Sequence, residues 1–286
     1  MKKSNRIFGL FAALVIGLAG AAHAGVPLNS LDGHGGIAFN PLAYTGGLKF
    51  EDGPGWISKP QVGGWYVNLP KSHIQWNSYS VSLTLADRAE VSYAANLVNA
   101  KNYGDNSIFA NSVGVKLRLL DENAGDTAWV PAIAIGAVYR HTDSKTVDLF
   151  GLDDDGFEYY IVASKLVKQT PLPVLLSAGL QLSDEVVYGV VGHNHYGTAL
   201  FANVDVLPAE NIAVGAEFRQ GINAGEAKAN GGRDLKNAEY WNGHVAWFVN
   251  DHLTLVGAYV YTGARDKGFD KLGFGDGFVL SAQYQF

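Results

Sequence analysis

The sequence predicts an all-β protein: an antiparallel transmembrane up-and-down β-barrel of about 12 strands, with 14 as the upper count. Three observations predict it. Apolar residues recur with period two in segment after segment, the connections between those segments alternate short and long, and the composition is rich in glycine and poor in charge. The 286 residues include 35 glycines, 12% aromatic residues, 17% charged residues and no cysteine. Ordinary soluble domains carry roughly 25% charged residues. With 48% hydrophobic residues the chain is too apolar to stay disordered. The missing thiols exclude a disulfide scaffold, a cysteine nucleophile and a cysteine-ligated metal. Beyond residue 22 no apolar run approaches the ~18 residues of a membrane-spanning helix.

The chain opens like an export signal. Lys2, Lys3 and Arg6 precede the apolar stretch Ile7–Ala22, and Ala22-His23-Ala24 places small residues where a signal peptidase reads them. Residues 1–24 are therefore expected to be a cleaved secretory signal. Its removal takes the formal net charge from −6 to −9. Such acidity excludes a nucleic-acid partner, because there is no basic stripe to neutralise phosphates. The expected location is the bacterial outer membrane.

Residues 25–59 contain eight glycines together with Pro27, Pro41 and Pro54. Glycine frees the backbone and proline interrupts strand ladders. This stretch reads as a coil preceding the barrel, which occupies residues 60–286. A lumenal plug, a periplasmic extension, an imperfect extra hairpin and a partner-binding arm all fit the composition.

The first strand is expected near 61–69. Tyr79, Val81, Leu83 and Leu85 then alternate with Ser78, Ser80, Ser82 and Thr84. Successive side chains of a strand point to opposite faces, so one face is apolar and the other small and polar. The same alternation marks strands at 90–97, 112–119, 212–219 and 240–247. Noisier strands are expected at 129–140, 157–168, 173–183, 197–206 and 252–263. Fourteen strands result if Gly36–Tyr44 and Val186–Val191 are strands of their own. Phe278, Leu280, Ala282, Tyr284 and Phe286 alternate with Val279, Ser281, Gln283 and Gln285 up to the last residue. That pattern resembles the C-terminal assembly signal of bacterial outer-membrane barrels.

Turns at Asp87-Arg88, 121–128, Thr170-Pro171, Pro208-Ala209-Glu210 and Asn250-Asp251 alternate with loops at 99–109, 141–156, 184–196, 221–237 and 264–275. A barrel with one end in the periplasm and the other outside sorts its connections in this way. Closure also removes the free edges of so large a sheet. Tyr79, Tyr93, Trp129, Tyr139, Tyr160, Trp241, Tyr259 and Tyr284 fall near strand ends, where aromatic rings sit at membrane interfaces.

With the apolar faces toward lipid, Glu90, Lys116, Arg118, Arg140, Lys165, Asp205, Glu217, Arg219 and His244 are predicted to face the lumen. An Arg or Lys at the lipid midplane costs roughly 2–4 kcal/mol, so the lumen is the inexpensive place for them. They would form either a selective constriction or an internal network of ion pairs. No zinc, nucleophile-elbow or phosphate-loop motif is present. His193 and His195, and the run Asp153-Asp154-Asp155, read as solvated loop residues, with no metal, cofactor or catalytic residue expected.

The stretches Leu31–Tyr44, Trp129–Ala137 and Tyr240–Phe248 resemble a family of proteobacterial predicted outer-membrane proteins known only as a domain of unknown function. The resemblance covers nearly all of the mature chain. It implies an envelope barrel and carries no activity or site residue with it. A weaker similarity, from Lys116 to Gly136, is to barrels associated with exopolysaccharide export. The expected function is a narrow porin-like channel for a small polar or charged solute. The alternative is a closed structural or interaction barrel, accessory to surface-polymer export. Expected partners are outer-membrane lipid, lipopolysaccharide, the barrel-assembly machinery and an unidentified small solute.

Overall fold

The computed structural model describes residues 28–101, 105–227, 233–263 and 272–286. The expected signal, residues 1–24, lies outside them, as does most of the loop at 264–275.

Strands form around each stretch of period-two pattern, and several extend beyond it. They are β1 (Gln61–Leu69), β2 (Ile74–Leu85), β3 (Ala89–Ala100), β4 (Asp105–Leu120), β5 (Ala132–Asp143), β6 (Asp155–Val167), β7 (Val174–Val186), β8 (Gly192–Ala209) and β9 (Ile212–Arg219). A short hairpin follows, β10 (Asn223–Ala227) with β11 (Arg233–Lys236), and then β12 (Tyr240–Phe248), β13 (Leu253–Tyr261) and β14 (Asp276–Gln285). Twelve of them close into one antiparallel barrel in the order β1-β14-β13-β12-β9-β8-β7-β6-β5-β4-β3-β2. The extended strands β3, β4, β7 and β8 take up most of the loops expected at 99–109 and 184–196. The seam is a full ladder, running from Gln61 opposite Gln285 to Asn68 opposite Phe278. A strand of 9–11 residues crosses a bilayer, and the wall strands range from 8 residues in β9 to 18 in β8.

The outer face is apolar. Tyr79, Val115, Leu180, Leu200, Tyr259 and Leu280 are among the large hydrophobic side chains exposed on it, while their strand neighbours point inward and are buried. A continuous apolar exterior of this extent is not tolerated in water, and on a closed barrel it is the surface that meets acyl chains. The protein is an outer-membrane β-barrel. Phe278, Leu280, Ala282, Tyr284 and Phe286 all face outward.

Twelve, rather than fourteen, is the strand count of the wall. Gly36–Tyr44 lies inside the barrel with only an isolated bridge between Gly36 and Pro41. Val186–Val191 turns at Val187 and Tyr188, whose φ angles are 53° and 58°. Its hydrophobic side chains fold inward instead of extending the ladder. The loop at 221–237 holds the β10–β11 hairpin, and the loop at 141–156 holds the short helix α1 (Lys145–Phe150). Tyr160 departs from the interfacial pattern because it sits on the inward face of β6 and is buried.

Candidate functional site: the filled lumen

The lumenal face is built from small side chains. Ser78, Ser80, Ser82, Ser92, Ser112, Ser164 and Ser177 all point inward and are buried. Eight strands make a barrel that side chains alone can fill, whereas sixteen leave an open channel. Twelve strands lined with serines leave a bore that needs another occupant. Residues 28–47 supply it, and every one of them is buried.

The segment is anchored to the wall bond by bond. Trp65 Nε1 donates to the Asn29 carbonyl at 2.8 Å, as does Gln283 Nε2 at 2.9 Å, and the Asn29 amide donates to Gln283 Oε1 at 2.8 Å. Ser78 Oγ donates to the Leu31 carbonyl at 2.8 Å, and the Ala43 amide donates to Ser164 Oγ at 2.9 Å. Gly33 passes close to the wall: with φ +85°, a Cβ there would lie 2.7 Å from the Tyr93 carbonyl oxygen. Only glycine fits both the backbone conformation and the gap.

Charges fix the segment at three places. Glu90 pairs with Lys116 at 3.0 Å and also accepts from the amides of Gly35 at 2.7 Å and Gly46 at 2.8 Å. Lys116 Nζ donates to the Gly35 carbonyl at 2.9 Å. Glu217 accepts from the consecutive amides of Ala38 (3.1 Å), Phe39 (2.8 Å) and Asn40 (3.3 Å), and from Asn242 Nδ2 at 2.6 Å. A carboxylate cradled by successive amides is a strong anchor, because each bond is charge-assisted.

The third place is a sheet of ion pairs near the long-loop end. Arg140 grips Asp32 with two bonds, Nε at 3.0 Å and Nη2 at 2.7 Å, and contacts Glu158 and Glu185 at 3.2 Å each. Arg219 pairs with Glu158 at 2.5 Å and Glu185 at 2.7 Å, and donates to the Phe39 carbonyl at 3.1 Å. Both guanidinium groups lie over the Tyr188 ring, Arg140 at 5.1 Å and Arg219 at 4.8 Å from its centre. Burial opposes ionisation of Asp32, but the charge and hydrogen bonds of Arg140 overcome it and hold the carboxyl well below the usual range. His34 stacks obliquely 5.6 Å from Tyr160, and burial lowers its pKa to about 4.

Seven of the nine residues predicted to face the lumen are enclosed there: Glu90, Lys116, Arg140, Asp205, Glu217, Arg219 and His244. Asp205 and His244 pair with each other at 2.6 Å. Arg118 and Lys165 belong instead to the short-turn rim. Arg118 reaches Asp121 and the Asp87 carbonyl. Lys165 pairs with Glu122 at 3.2 Å, and its place in β6 is on the outward parity, out of step with inward Val162 and Ser164. The lumenal charge of β6 is Glu158. Its signal was in the sequence: Phe157, Tyr159 and Ile161 define the lipid face and leave Glu158 opposite. Nothing local in the sequence marks Asp32, Glu185 and Tyr188, which lie in the lumenal coil, at the end of β7 and in the inward-folded loop after it. His193, expected in solvent, is buried and pairs with Asp184 at 2.9 Å. Among the described residues, His141, Asp154 and Asp155 bring ligand-type atoms within 4.8 Å of one another. They are solvent-accessible, and Asp155 already accepts from Tyr139 and His141.

The sequence model of the family described as "Protein of unknown function (DUF3034)" matches residues 25–273. The chain belongs to this family. The DUF3034 match takes in the lumenal segment as well as all but the last wall strand. No curated protein matches the sequence. Solved barrels align over most of the DUF3034 chain at low identity. A KdgM porin in complex with disordered oligogalacturonate is 10% identical, with 79% of this chain and 99% of that one covered and a TM-score of 0.49. A NanC porin is 13% identical, with 79% and 100% covered and a TM-score of 0.48. The COG4313 outer membrane channel from Pseudomonas putida F1 is 13% identical, with 83% and 98% covered and a TM-score of 0.44.

Proposed function

We propose that the protein is a narrow porin-like channel of the outer membrane, closed in this conformation by residues 28–47, for a small polar or charged solute. The observation that carries the proposal is that the lumen is filled by a separate peptide segment rather than by the wall's own side chains. Moving that segment aside would expose a serine-lined bore with an ionic lining, without breaking any ladder of the wall. The carboxylates of Glu90, Glu158, Glu185, Asp205 and Glu217 outnumber Lys116, Arg140 and Arg219, so the opened pore is expected to favour cations. The buried acids and bases pair with one another and with the segment, which supports transport over catalysis. The outward C-terminal pattern supports recognition by the barrel-assembly machinery.

The test is deletion of residues 28–47 in planar bilayers. Discrete conductance steps are expected from the deleted barrel and rare ones from the intact chain, with a reversal potential showing cation preference. A deleted barrel that folds and conducts no more than the intact chain would overturn the channel reading in favour of a closed structural barrel.

A further inference from the structure

Above the sheet of ion pairs, at the long-loop end, lies a chamber of about 190 Å³. Its walls come from the ends of β1–β4 and β12 and from the inward-folded loops. Val98, Ala100 and Ile108 line one side, and Val190 and Phe274 roof it. The floor is aromatic. Phe39, from the tip of the lumenal segment, lies 5.9 Å from Tyr188 and 5.8 Å from Tyr240 between ring centres, and Trp76 lies 5.7 Å from Tyr188.

We propose that this chamber is a binding site for a small neutral apolar molecule, a monocyclic aromatic or a hydrocarbon of similar bulk. Size and chemistry both point there. An apolar cavity of about 150 Å³ stays dry and takes up benzene, and this one is somewhat larger. Aromatic walls receive a flat ring edge-to-face or offset. Charged ligands are disfavoured on both signs. The Tyr188 ring already carries Arg140 and Arg219, so a cation would meet like charge, while those guanidinium groups are already paired with Asp32, Glu158 and Glu185, so an anion would find compensated charge. A passage for polar solutes has no use for such a lining, so the site does not rest on the channel reading; it belongs to the seated state, in which Phe39 of the segment forms part of its floor.

Crystals of the full mature chain soaked in bromobenzene provide the test, because bromine is located by its anomalous signal. The expected result is a bromine peak among Trp76, Tyr188 and Tyr240. Ala100→Phe, which fills the chamber, should weaken bromobenzene binding roughly tenfold or more. Val190→Trp, placed in a loop where strand pairing is not at stake, should do the same. Ala95→Phe, on the outward face of β3, should leave it unchanged. Bromine found only on the lipid-facing belt, or equal binding by wild type and both chamber-filling variants, would overturn the proposal.

Discussion

In β14, residues from Asp276 to Gln285 exchange backbone bonds with β1 on one side and β13 on the other. The segment at 28–47 has no such ladder; its strand-like pairings are two isolated bridges within itself, Asn29 with Gly35 and Gly36 with Pro41. It is held instead by side chains of the wall reaching its amides and carbonyls. The wall's cohesion is therefore nearly indifferent to which side chains it carries, whereas the segment's seat depends on a few named residues. That difference makes one part a permanent scaffold and the other a separable occupant. It teaches that the burial of a lumenal side chain does not by itself distinguish the two, since the wall's inner face and the segment are both enclosed; the origin of the hydrogen bonds does.

The largest effect that would separate them is expected at Arg140. Removing one partner of a buried ionic network leaves uncompensated charge and costs about 3–5 kcal/mol. In Arg140→Ala, Asp32 loses its bidentate partner, and Glu158 and Glu185 lose one of two cations. The cost should fall on the seat and leave the ladders intact. Frequent conductance steps from a variant that keeps the heat-resistant, fast-migrating form of a folded barrel in gels would bear this out. A variant that unfolds without ever conducting would erase the distinction between scaffold and occupant.

Acid should act in the same direction, more gently. His34 has its pKa lowered to about 4 inside the lumen and would titrate near 6.5 if released. The seated state thus binds the proton less well. The contribution of the neutral imidazole to seating is complete above pH 6.5 and is lost as pH falls toward 4, amounting to roughly 2 kcal/mol at pH 5. Asp32, Glu90, Glu158 and Lys116 face it and modulate the shift, and burial dominates it. Openings are expected to be more frequent at pH 5 than at pH 8, and His34→Gln should flatten that dependence. A steep pH dependence surviving in His34→Gln would assign the titration to the carboxylates instead.

The same contrast explains what the sequence reveals. Wall strands are legible because period-two alternation is a local consequence of backbone geometry against lipid. All twelve are legible as alternating segments, but in β1 the apolar residues Trp65, Val67 and Leu69 face the lumen instead of lipid, and in β6 the parity makes Glu158, not Lys165, the lumenal charge. Gly36–Tyr44 has no such local signature. Gly33, three residues before it, lets backbone approach backbone at Tyr93, and that requirement appears only once the wall is closed around it. Val186–Val191 is valine-rich, but only Val186 stays in the β7–β8 ladder; the chain then turns at Val187 and Tyr188, and Val187, Tyr188 and Val190 are buried at the barrel mouth. His193 and Asp184 lie nine residues apart and meet across the end of the β7–β8 ladder, where Glu185 stands opposite His193.

The smallest effect is expected where the segment leaves the barrel. Lys49 and Asp87 form an ion pair of 2.6 Å at the short-turn rim, with side chains about half exposed at 56% and 50%. The pair joins the exit of the segment to the β2–β3 turn, so its position alone would suit a latch. Its energetics do not. An exposed pair typically contributes 0.2–1 kcal/mol, because water and salt screen it and two long side chains must be held in place. Lys49→Ala should therefore leave both the melting of the barrel and its conductance close to wild type at moderate salt. Any residual difference should shrink further as ionic strength rises. If Lys49→Ala instead opened the pore as readily as Arg140→Ala, the segment would be held at its exit rather than along its length. The buried anchors at Glu90, Glu217 and Arg140 would then be consequences of seating and not its cause.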